Sequence, residues 1–259
     1  MLECEKDKIL ALYDSEVRAN TVDSPGINVV SDAYVTRLEG AFNFVCCWTF
    51  SEDSAQQVVH QQAKHFRQIE EELIWRVYGH DKPTNIESCL EEEGFIASPS
   101  GTLMVLPLEE ELPLNPVHDI RRLASVNDLK DYMSVAEAAF GSADAKQFDY
   151  YMKILSEPNF ALLCGYANNE PVTSGRLEML WGTSFGLMFG GGVSPSHRGN
   201  GYYRALVKAR ELIARQRGLK YLSTEAQETS RPILEKLGFI PLIQETTWIL
   251  PSKLKVVPS

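Results

Sequence analysis

The sequence predicts an α/β protein built on a mixed sheet, and three observations lead to this fold class. Residues 160–193 contain three apolar runs separated by short turns, which is typical of antiparallel strands. Residues 185–240 then alternate between strand-like and helix-like runs. Finally, the motif Gly94-Phe95-Ile96 recurs as Gly238-Phe239-Ile240, an offset of 144 residues (238 minus 94). We therefore expect two related halves.

The second half divides into elements along its whole length, because apolar periodicity and turn residues mark where each one starts and stops. Strands are predicted at 117–124, 160–167, 171–180, 185–193 and 219–224, and helices at 127–140, 143–156, 201–217 and 230–237. In the helix 201–217, helical spacing predicts one buried stripe of Ala205, Leu206, Ala209, Leu212 and Ile213.

The offset of 144 residues carries this pattern back onto the first half. It places a strand at 41–49, a helix at 56–72 and a strand at 73–78, while no first strand is evident. The helix has a stripe of its own, made of Val59, Ala63, Phe66, Ile69 and Leu73.

A glycine-rich, basic loop joins the strand 185–193 to the helix 201–217. It runs Val193-Ser194-Pro195-Ser196-His197-Arg198-Gly199-Asn200-Gly201-Tyr202-Tyr203. Free N–H groups at a helix N-terminus lie at the positive end of the helix dipole, and glycines let the backbone close around an anion. Arg198 adds a fixed positive charge. The loop is therefore suited to a pyrophosphate.

Two motifs carry a family resemblance. Arg198-Gly199-Asn200-Gly201 resembles the coenzyme A loop of the GNAT superfamily of N-acetyltransferases, whose pattern is Arg or Gln, two residues, Gly, one residue, then Gly or Ala. Tyr203 stands at the last position, where the family has a small residue. The run 234–239 resembles the family's Tyr-Glu-Lys-x-Gly-Phe ending. The resemblance covers a complete domain from Val117 onward and implies a duplicated acyl-CoA N-acyltransferase (GNAT) fold.

The resemblance also implies a cofactor and a reaction. The cofactor is acetyl-CoA, and an acetyl group would pass to a primary amine of a small molecule or protein. The backbone of the fourth strand would lie along the pantetheine arm, and an N–H at its end would reach the acetyl carbonyl. The residues expected at the cofactor are Gly192, Val193, Arg198, Gly199, Asn200, Gly201, Tyr202, Tyr203 and Ser230.

The residues that would move protons depart from the family pattern. Leu234 stands where many members have a tyrosine that acts as the general acid, and Gln227 stands where an asparagine is common. Tyr202 or Tyr203 could instead protonate the leaving thiolate, and some acetyltransferases use water alone. Two further functions therefore stay open: a non-catalytic acyl-CoA-binding or regulatory module, and a transferase of a larger acyl group.

Two carboxylates are candidate general bases. Glu225 ends the fifth strand of the second half and Glu178 lies on its third strand, and either could accept a proton from an ammonium substrate directly or through water. The composition of surfaces favours the other interpretation, in which each is an ordinary half-exposed strand carboxylate. His197 precedes Arg198 in the loop, which favours a position beside phosphate or solvent over a catalytic one.

The two halves differ where the cofactor would bind. Opposite the loop, the gapless repeat places Ser51-Glu52-Asp53-Ser54-Ala55-Gln56-Gln57, which has two carboxylates and neither glycine nor arginine. Carboxylates there would repel a pyrophosphate. We therefore expect a degenerate domain at 1–110, a proline-rich linker at 111–116 and a catalytic domain at 117–259, which should bind the cofactor as a fragment beginning near Asn115.

Composition limits the function classes. The net charge of −10 argues against a nucleic-acid partner, which would need basic clusters. The sequence has no apolar run long enough to span a bilayer and no basic-then-apolar leader, so no membrane partner and a cytoplasmic location are expected. Five cysteines without metal-ligand spacing indicate neither disulfides nor a metal site. The oligomeric state is left open.

Overall fold

The computed structural model describes residues 3–108, 118–141 and 145–252, which form two compact units. Unit 1 comprises Met1–Leu103, Glu225–Arg231 and Pro241–Ser259, and unit 2 comprises Met104–Thr224 and Pro232–Ile240. Each unit is therefore completed by residues from the other half of the sequence. The linker predicted at 111–116 lies outside the described residues, and the functional division that it marks stays a prediction.

The helices and strands follow one another along the chain with two short irregular turns. They are α1 (Glu3–Tyr13), β1 (Ile27–Ser31), β2 (Val35–Gly40), β3 (Phe44–Trp48), α2 (Glu52–Gln68), β4 (Leu73–Tyr78), α3 (Ile86–Glu92), β5 (Ile96–Ala97), β6 (Gly101–Pro107), β7 (Asp119–Arg122), α4 (Val126–Phe140), α5 (Ala145–Ile154), β8 (Phe160–Ala167), β9 (Glu170–Glu178), β10 (Phe185–Val193), α6 (Tyr202–Gln216), β11 (Tyr221–Ala226), α7 (Arg231–Lys236) and β12 (Ile240–Leu250). A π-helical turn covers Asp14–Arg18 and a 3-10 turn covers Pro195–His197.

Unit 1 is a mixed sheet with an apolar core cluster that includes the buried face of α2. Its strands run in the order β1-β2-β3-β4-β12, and β5 pairs with β12. Strands β3 and β4 are parallel, whereas β12 is antiparallel to β4, with Trp248 opposite Trp75. Ala63 and Phe66 of α2 are fully buried with Trp75 in one apolar cluster. Burial of this apolar cluster stabilises unit 1.

Helix α2 begins four residues earlier than the gapless repeat predicts. Its first residue is Glu52 rather than Gln56, and Ile69, assigned to the buried stripe, is exposed beyond the helix end. The prediction was wrong because the connection from β3 is only three residues long, Thr49 to Ser51. Ser51 is extended at the helix N-cap, with acidic residues in the first turn, where the helix dipole favours them.

Unit 2 is also a mixed sheet, with strand order β6-β11-β10-β9-β8-β7. The meander predicted from the sequence is confirmed, because β8, β9 and β10 pair antiparallel in succession. Strand β11 runs parallel to β10, with Phe185 opposite Tyr221. Helix α4 starts with a capping box between Ser125 and Asp128 and ends at Gly141 in a left-handed conformation.

The buried stripe of α6 differs from the predicted one. The buried residues are Leu206, Val207, Arg210, Glu211 and Ala214. Leu212, which was assigned to the stripe, is 43% exposed. The prediction was wrong because two buried positions carry charged side chains, so apolar periodicity alone chose the wrong face. Glu211 is compensated by Lys208 at 2.6 Å and Arg215 at 3.0 Å.

The Gly-Phe repeat produces the same helix ending in both units. Gly94 and Gly238 have φ of 76° and 92°, which favours glycine. The N–H of Phe95 donates to the Leu90 carbonyl at 3.0 Å, and that of Phe239 donates to Leu234 at 3.0 Å. Each turn places its phenylalanine in the core.

None of the helices in the described ranges has both the length and the apolar composition to cross a bilayer. Within those same ranges, no group of three His, Cys, Asp or Glu side chains could hold a metal ion.

Candidate functional site

The loop between β10 and α6 is shaped by two left-handed glycines. After the 3-10 turn, Gly199 has φ of 81° and Gly201, the N-cap of α6, has φ of 86°. A residue with a Cβ would be strained in either conformation. A Cβ on Gly199 would meet nothing within 4 Å, so open space lies beside the loop. Because Gly201 has no side chain to cap α6, the first backbone N–H groups of the helix are left for water or a ligand.

Basic and aromatic side chains surround this loop. The Arg198 guanidinium is exposed and donates to the carbonyls of Val193 (3.3 Å) and Ala139 (3.4 Å). The Tyr202 ring lies 4.3 Å from the His118 ring and 6.0 Å from the His197 ring, measured between centroids. His118 was not predicted at the site, because it is distant in the sequence and no motif marks it.

The glycine run of β10 coincides with a break in the sheet. The ladder between β10 and β11 is parallel from Phe185 to Leu187, opposite Tyr221 to Ser223, and the Thr224 hydroxyl then donates to the Met188 carbonyl at 3.1 Å. On the other side, the register with β9 shifts between Phe189 and Gly192. Gly190 has φ of 58° within this bulge. The irregularity of the strand therefore coincides with the run Gly190 to Gly192.

Helix α4 approaches this bulge closely. A Cβ on Gly192 would lie 2.7 Å from the Ala139 Cβ, so glycine is required for α4 to pack there. A Cβ on Gly190 would lie 3.6 Å from the Tyr132 hydroxyl. Tyr132 is almost fully buried in α4, and burial raises its pKa well above the usual value. The sequence did not indicate Tyr132 as a site residue, because a tyrosine on the apolar face of a helix is usually part of the hydrophobic core.

Helix α6 contributes Tyr203 and Arg210 beneath Gly191. A Cβ on Gly191 would lie 3.1 Å from the Tyr203 ring and 3.1 Å from the Arg210 guanidinium. Tyr203 thus packs against the strand.

Glu178 is buried on β9 beside an arginine. The Arg176 Nε atom lies 2.7 Å from Glu178 Oε1, although their alignment makes this contact an ion pair rather than a hydrogen bond. The Arg176 guanidinium also lies over the rings of Tyr150, Tyr151 and Phe189. Burial raises the pKa of Glu178, and the charge of Arg176 opposes this only in part.

Glu225 belongs to unit 1 and has several partners there. Its Oε1 accepts hydrogen bonds from the hydroxyls of Tyr13 (3.2 Å) and Tyr78 (3.1 Å), and Arg76 lies 2.9 Å away. Ser230, the other predicted site residue in unit 1, donates its hydroxyl to the Gln227 carbonyl at 3.1 Å. The structure therefore assigns Glu178 and the loop to one compact unit, and Glu225 and Ser230 to the other.

Comparison with known proteins identifies the family of the second half. The model of the Acetyltransferase (GNAT) family matches residues 126–239. Residues 126–239 form a GNAT-family domain. The match includes the bulged strand β10, the loop and α6. No curated protein matches the chain in sequence.

Solved structures show that the GNAT fold extends over the whole chain. A GCN5-related N-acetyltransferase from Kribbella flavida has a TM-score of 0.69 at 14% identity, covering 94% of this chain and 95% of its own. A tandem GNAT protein from the clavulanic acid biosynthesis pathway has a TM-score of 0.59 at 14% identity, covering 98% and 96%. A GCN5-related N-acetyltransferase from Sphaerobacter thermophilus has a TM-score of 0.58 at 17% identity, covering 86% and 75%. These likenesses show the fold, and the first half is GNAT-like as well.

Proposed function

We propose that this protein is an acetyl-CoA-dependent N-acetyltransferase that acetylates a primary amine of a small molecule or protein. The observation that supports it most is the junction of β10 and α6 in the GNAT domain. There, two left-handed glycines and Arg198 lead into an uncapped helix N-terminus, directly after a strand that leaves its parallel neighbour. This combination suits an anionic cofactor that extends along the strand.

The residues of the loop fit coenzyme A in charge and shape. Arg198 and the N-terminus of α6 offer positive charge to a pyrophosphate, while the space beside Gly199 is open. We expect contacts from Gly192, from Val193 and from the run 198–203. When bound, acetyl-CoA supplies the acetyl group as a thioester.

Glu178 is the better of the two base candidates. It lies on β9 opposite Leu187, the last residue of β10 in register with β11. Its raised pKa suits a group that must accept a proton near neutral pH. Glu225 is already the acceptor for Tyr13, Tyr78 and Arg76, which gives it a structural task in unit 1.

The test is release of thiol from acetyl-CoA in the presence of primary amines. Suitable probes are an amino acid, a polyamine, an amino sugar and a peptide with a free amino terminus. We expect at least one amine to raise the rate above that of acetyl-CoA alone, and Gly201→Glu to abolish the increase. If a longer acyl-CoA reacts faster than acetyl-CoA with the same amine, the protein is a transferase of a larger acyl group.

One observation favours a second candidate, a non-catalytic acyl-CoA-binding module. Leu234 is fully buried at the position where many GNAT members have an acidic tyrosine, so this residue offers no proton. Such a module would bind coenzyme A by calorimetry yet release no thiol with any amine. The same measurements on one preparation therefore separate the two functions.

Partners and location belong to the same proposal. The net charge of −10 supports a protein without a nucleic-acid or membrane partner. All five cysteines are free, which suits a reducing compartment such as the cytoplasm.

A further inference from the structure

Arg210 is a fully buried cation that has no carboxylate partner among the described residues. It lies on α6 with 1% of its surface exposed, and no ion pair joins it to any residue in the described ranges. Its hydrogen bonds run to two carbonyl oxygens, of Leu206 and of Arg176, at 3.4 Å each. Both are longer than the usual range for N–H···O contacts. Burial lowers its pKa, but an arginine side chain stays charged.

The other arginines that are buried within the described ranges each have a carboxylate partner. Arg37 lies 2.7 Å from Glu39, and Arg176 lies 2.7 Å from Glu178. Among the residues that the structure describes, Arg210 meets the partial negative charge of two carbonyl groups, and the Tyr132 and Tyr203 side chains are near enough to interact with its charge.

The guanidinium of Arg210 is aimed at the bulge of β10. A Cβ on Gly191 would lie 3.1 Å from its Nη2 atom, and a Cβ on Gly175 would lie 3.1 Å from its Nη1 atom. Two glycines on neighbouring strands therefore leave the space that the guanidinium fills. The charge lies directly beneath the strand segment along which the acyl donor is proposed to extend.

A buried cation of this kind opposes folding. Removing it from water costs free energy that carbonyl contacts repay only in part, and apolar replacements of buried charges are often neutral or stabilising. The charge is therefore poorly explained by stability. The site meanwhile offers Leu234 in place of the tyrosine that would protonate the leaving sulfur.

We propose that Arg210 is a positioning residue whose charge, acting across the backbone of β10, stabilises the negative charge that develops on the acyl donor during transfer. The inference rests on the proposed function. In that reaction the amine nitrogen forms a bond to the acyl carbon, the carbon–sulfur bond breaks, and its electron pair leaves on sulfur. The amine proton passes to a base or to water, and the thiolate takes a proton from water. A preorganised charge in a dry environment favours such charge development strongly.

The decisive variant is Arg210→Met, which keeps the volume and removes the charge. Its matched control is Arg204→Met, which removes a positive charge from an exposed position on the same helix. Arg210→Lys restores a cation. Gly191→Ala displaces the guanidinium without removing it, since the new methyl group meets it at 3.1 Å. The readouts are the midpoint of thermal unfolding, calorimetric affinity for coenzyme A, and kcat for thiol release from acetyl-CoA with the most reactive amine of the panel.

We expect Arg210→Met to melt at or above the wild-type temperature and to bind coenzyme A within about threefold. Its kcat should fall by about 10- to 100-fold, on the scale of one lost electrostatic contact. Arg210→Lys should recover part of kcat, Gly191→Ala should lose part, and Arg204→Met should match the wild type. An unchanged kcat in Arg210→Met, or a lower kcat that accompanies a lower melting temperature, would overturn the role of Arg210. A wild-type protein that releases no thiol would overturn the proposed function itself.

Discussion

Each unit has a junction that connects a parallel strand to the following helix, and the two junctions differ in length. In unit 2, eight residues separate β10 from α6, and in unit 1, three residues separate β3 from α2. Both junctions follow a parallel strand pair with a short ladder, Phe44–Val45 against β4 in unit 1 and Phe185–Leu187 against β11 in unit 2. The strand geometry is thus shared, and the loop is what differs.

The comparison shows how the junction in the first half differs from the glycine loop of the second half. The gapless repeat places Ser51 to Gln57 opposite the glycine loop, but the structure has Glu52 to Gln57 inside α2. The loop is therefore missing from unit 1 rather than merely changed in composition. The first turn of α2 contains Glu52 and Asp53, whose negative charges interact favourably with the positive end of the helix dipole.

Unit 1 has ion pairs of its own near the end of β3. A groove of about 460 Å³ is lined by the end of β3 and the turn after β4. In it, Arg18 forms a bidentate contact with Asp81 at 2.8 and 2.9 Å and lies over the Tyr78 ring at 4.5 Å. Where unit 2 presents an exposed arginine and open space, unit 1 presents an arginine that is already paired.

The largest effect should come from cutting the chain between its halves. A fragment of residues 115–259 lacks Met104, Val105 and Leu106, which belong to unit 2 and are buried. Burying each such side chain contributes about 1.5–3 kcal/mol, against about 5–15 kcal/mol for a whole domain. We expect no cooperative thermal transition for this fragment, contrary to the expectation from the sequence that it folds and binds alone.

Co-expression with residues 1–108 is the control for this cut, because it resupplies β6. We expect it to restore both the thermal transition and coenzyme A binding. A fragment 115–259 that melts cooperatively near the temperature of the intact chain would contradict the exchange of strands between the units.

The second prediction separates the carboxylates of the two units. Replacing Glu178 alone would leave Arg176 buried without its partner, at a cost of about 3–5 kcal/mol. The variant is therefore Arg176→Gln with Glu178→Gln. We expect a loss of about 10²- to 10⁴-fold in kcat, the scale of general-base catalysis. Glu225→Gln should keep kcat within about threefold and lower the melting temperature. Circular dichroism confirms folding, and the reverse pattern of kcat would assign the base to Glu225.

The third prediction concerns cofactor stoichiometry and the loop. Calorimetry should give one coenzyme A per chain, and Arg198→Ala should weaken binding by about 1.5–3 kcal/mol, or roughly ten- to hundredfold. Gly201→Glu should abolish binding, because it adds a carboxylate at a left-handed position where a Cβ already meets His118 at 3.2 Å.

The matched control for Gly201→Glu is Gly218→Glu. Gly218 has φ of 71° beyond the C-terminal end of α6, and a Cβ there would meet nothing within 4 Å. Its variant should carry similar backbone strain yet bind coenzyme A normally. Two cofactors per chain would show that unit 1 has a working site despite its short junction.

The fourth prediction tests the side chain that departs from the family pattern. Tyr203→Ala removes the ring that packs beneath Gly191 and should lower the free energy of unfolding by about 1–3 kcal/mol. Coenzyme A affinity should change by no more than a few fold, measured by calorimetry beside Arg204→Ala as a control. A large gain in affinity would mean that the tyrosine obstructs the site.

The smallest effect is a pH-dependent stabilisation in unit 1. The His80 Nε2 atom lies 2.7 Å from Asp14 Oδ2, and this hydrogen bond raises the pKa of His80. The stabilisation is therefore fully present below the unfolded pKa of histidine, about 6.5, and is lost as pH rises through the raised value. Burial alone would raise the pKa of Asp14, but hydrogen bonds from His80 and Arg18 lower it, so its contribution disappears only at acidic pH.

The measurement is the melting temperature of His80→Gln and wild type between about pH 6 and pH 9. The side chains of His80 and Asp14 are 34% and 32% exposed, so we expect at most about 1 kcal/mol at the lower pH. The difference should shrink as pH rises. His197→Gln in the loop, where the ring contacts Ser196 and Tyr202, serves as the comparison in unit 2. A difference for His80→Gln that stays constant across this pH range would rule out the ion pair.

Local patterns in the sequence predicted most of unit 2 and the loop within it. Strands β8 and β10 have the predicted bounds, α4 differs from its prediction by one residue at its start, and α6 differs by one residue at each end. These features follow from the side-chain period of each element and from glycines that only certain backbone conformations require. The same patterns located the Gly-Phe helix ending in both halves.

The tertiary structure alone decided which residues meet. Arg210 and Glu211 are charged residues of a type that usually lies on the surface, yet both are buried. The buried face of a helix depends on the elements that pack against it and not on the helix sequence alone. His118 and Tyr132 reach the loop and the bulge from other elements of unit 2. Local periodicity likewise does not predict which unit β6 and β12 belong to. The sequence of a strand indicates which of its side chains lie on each face of a sheet, but not which strands lie beside it.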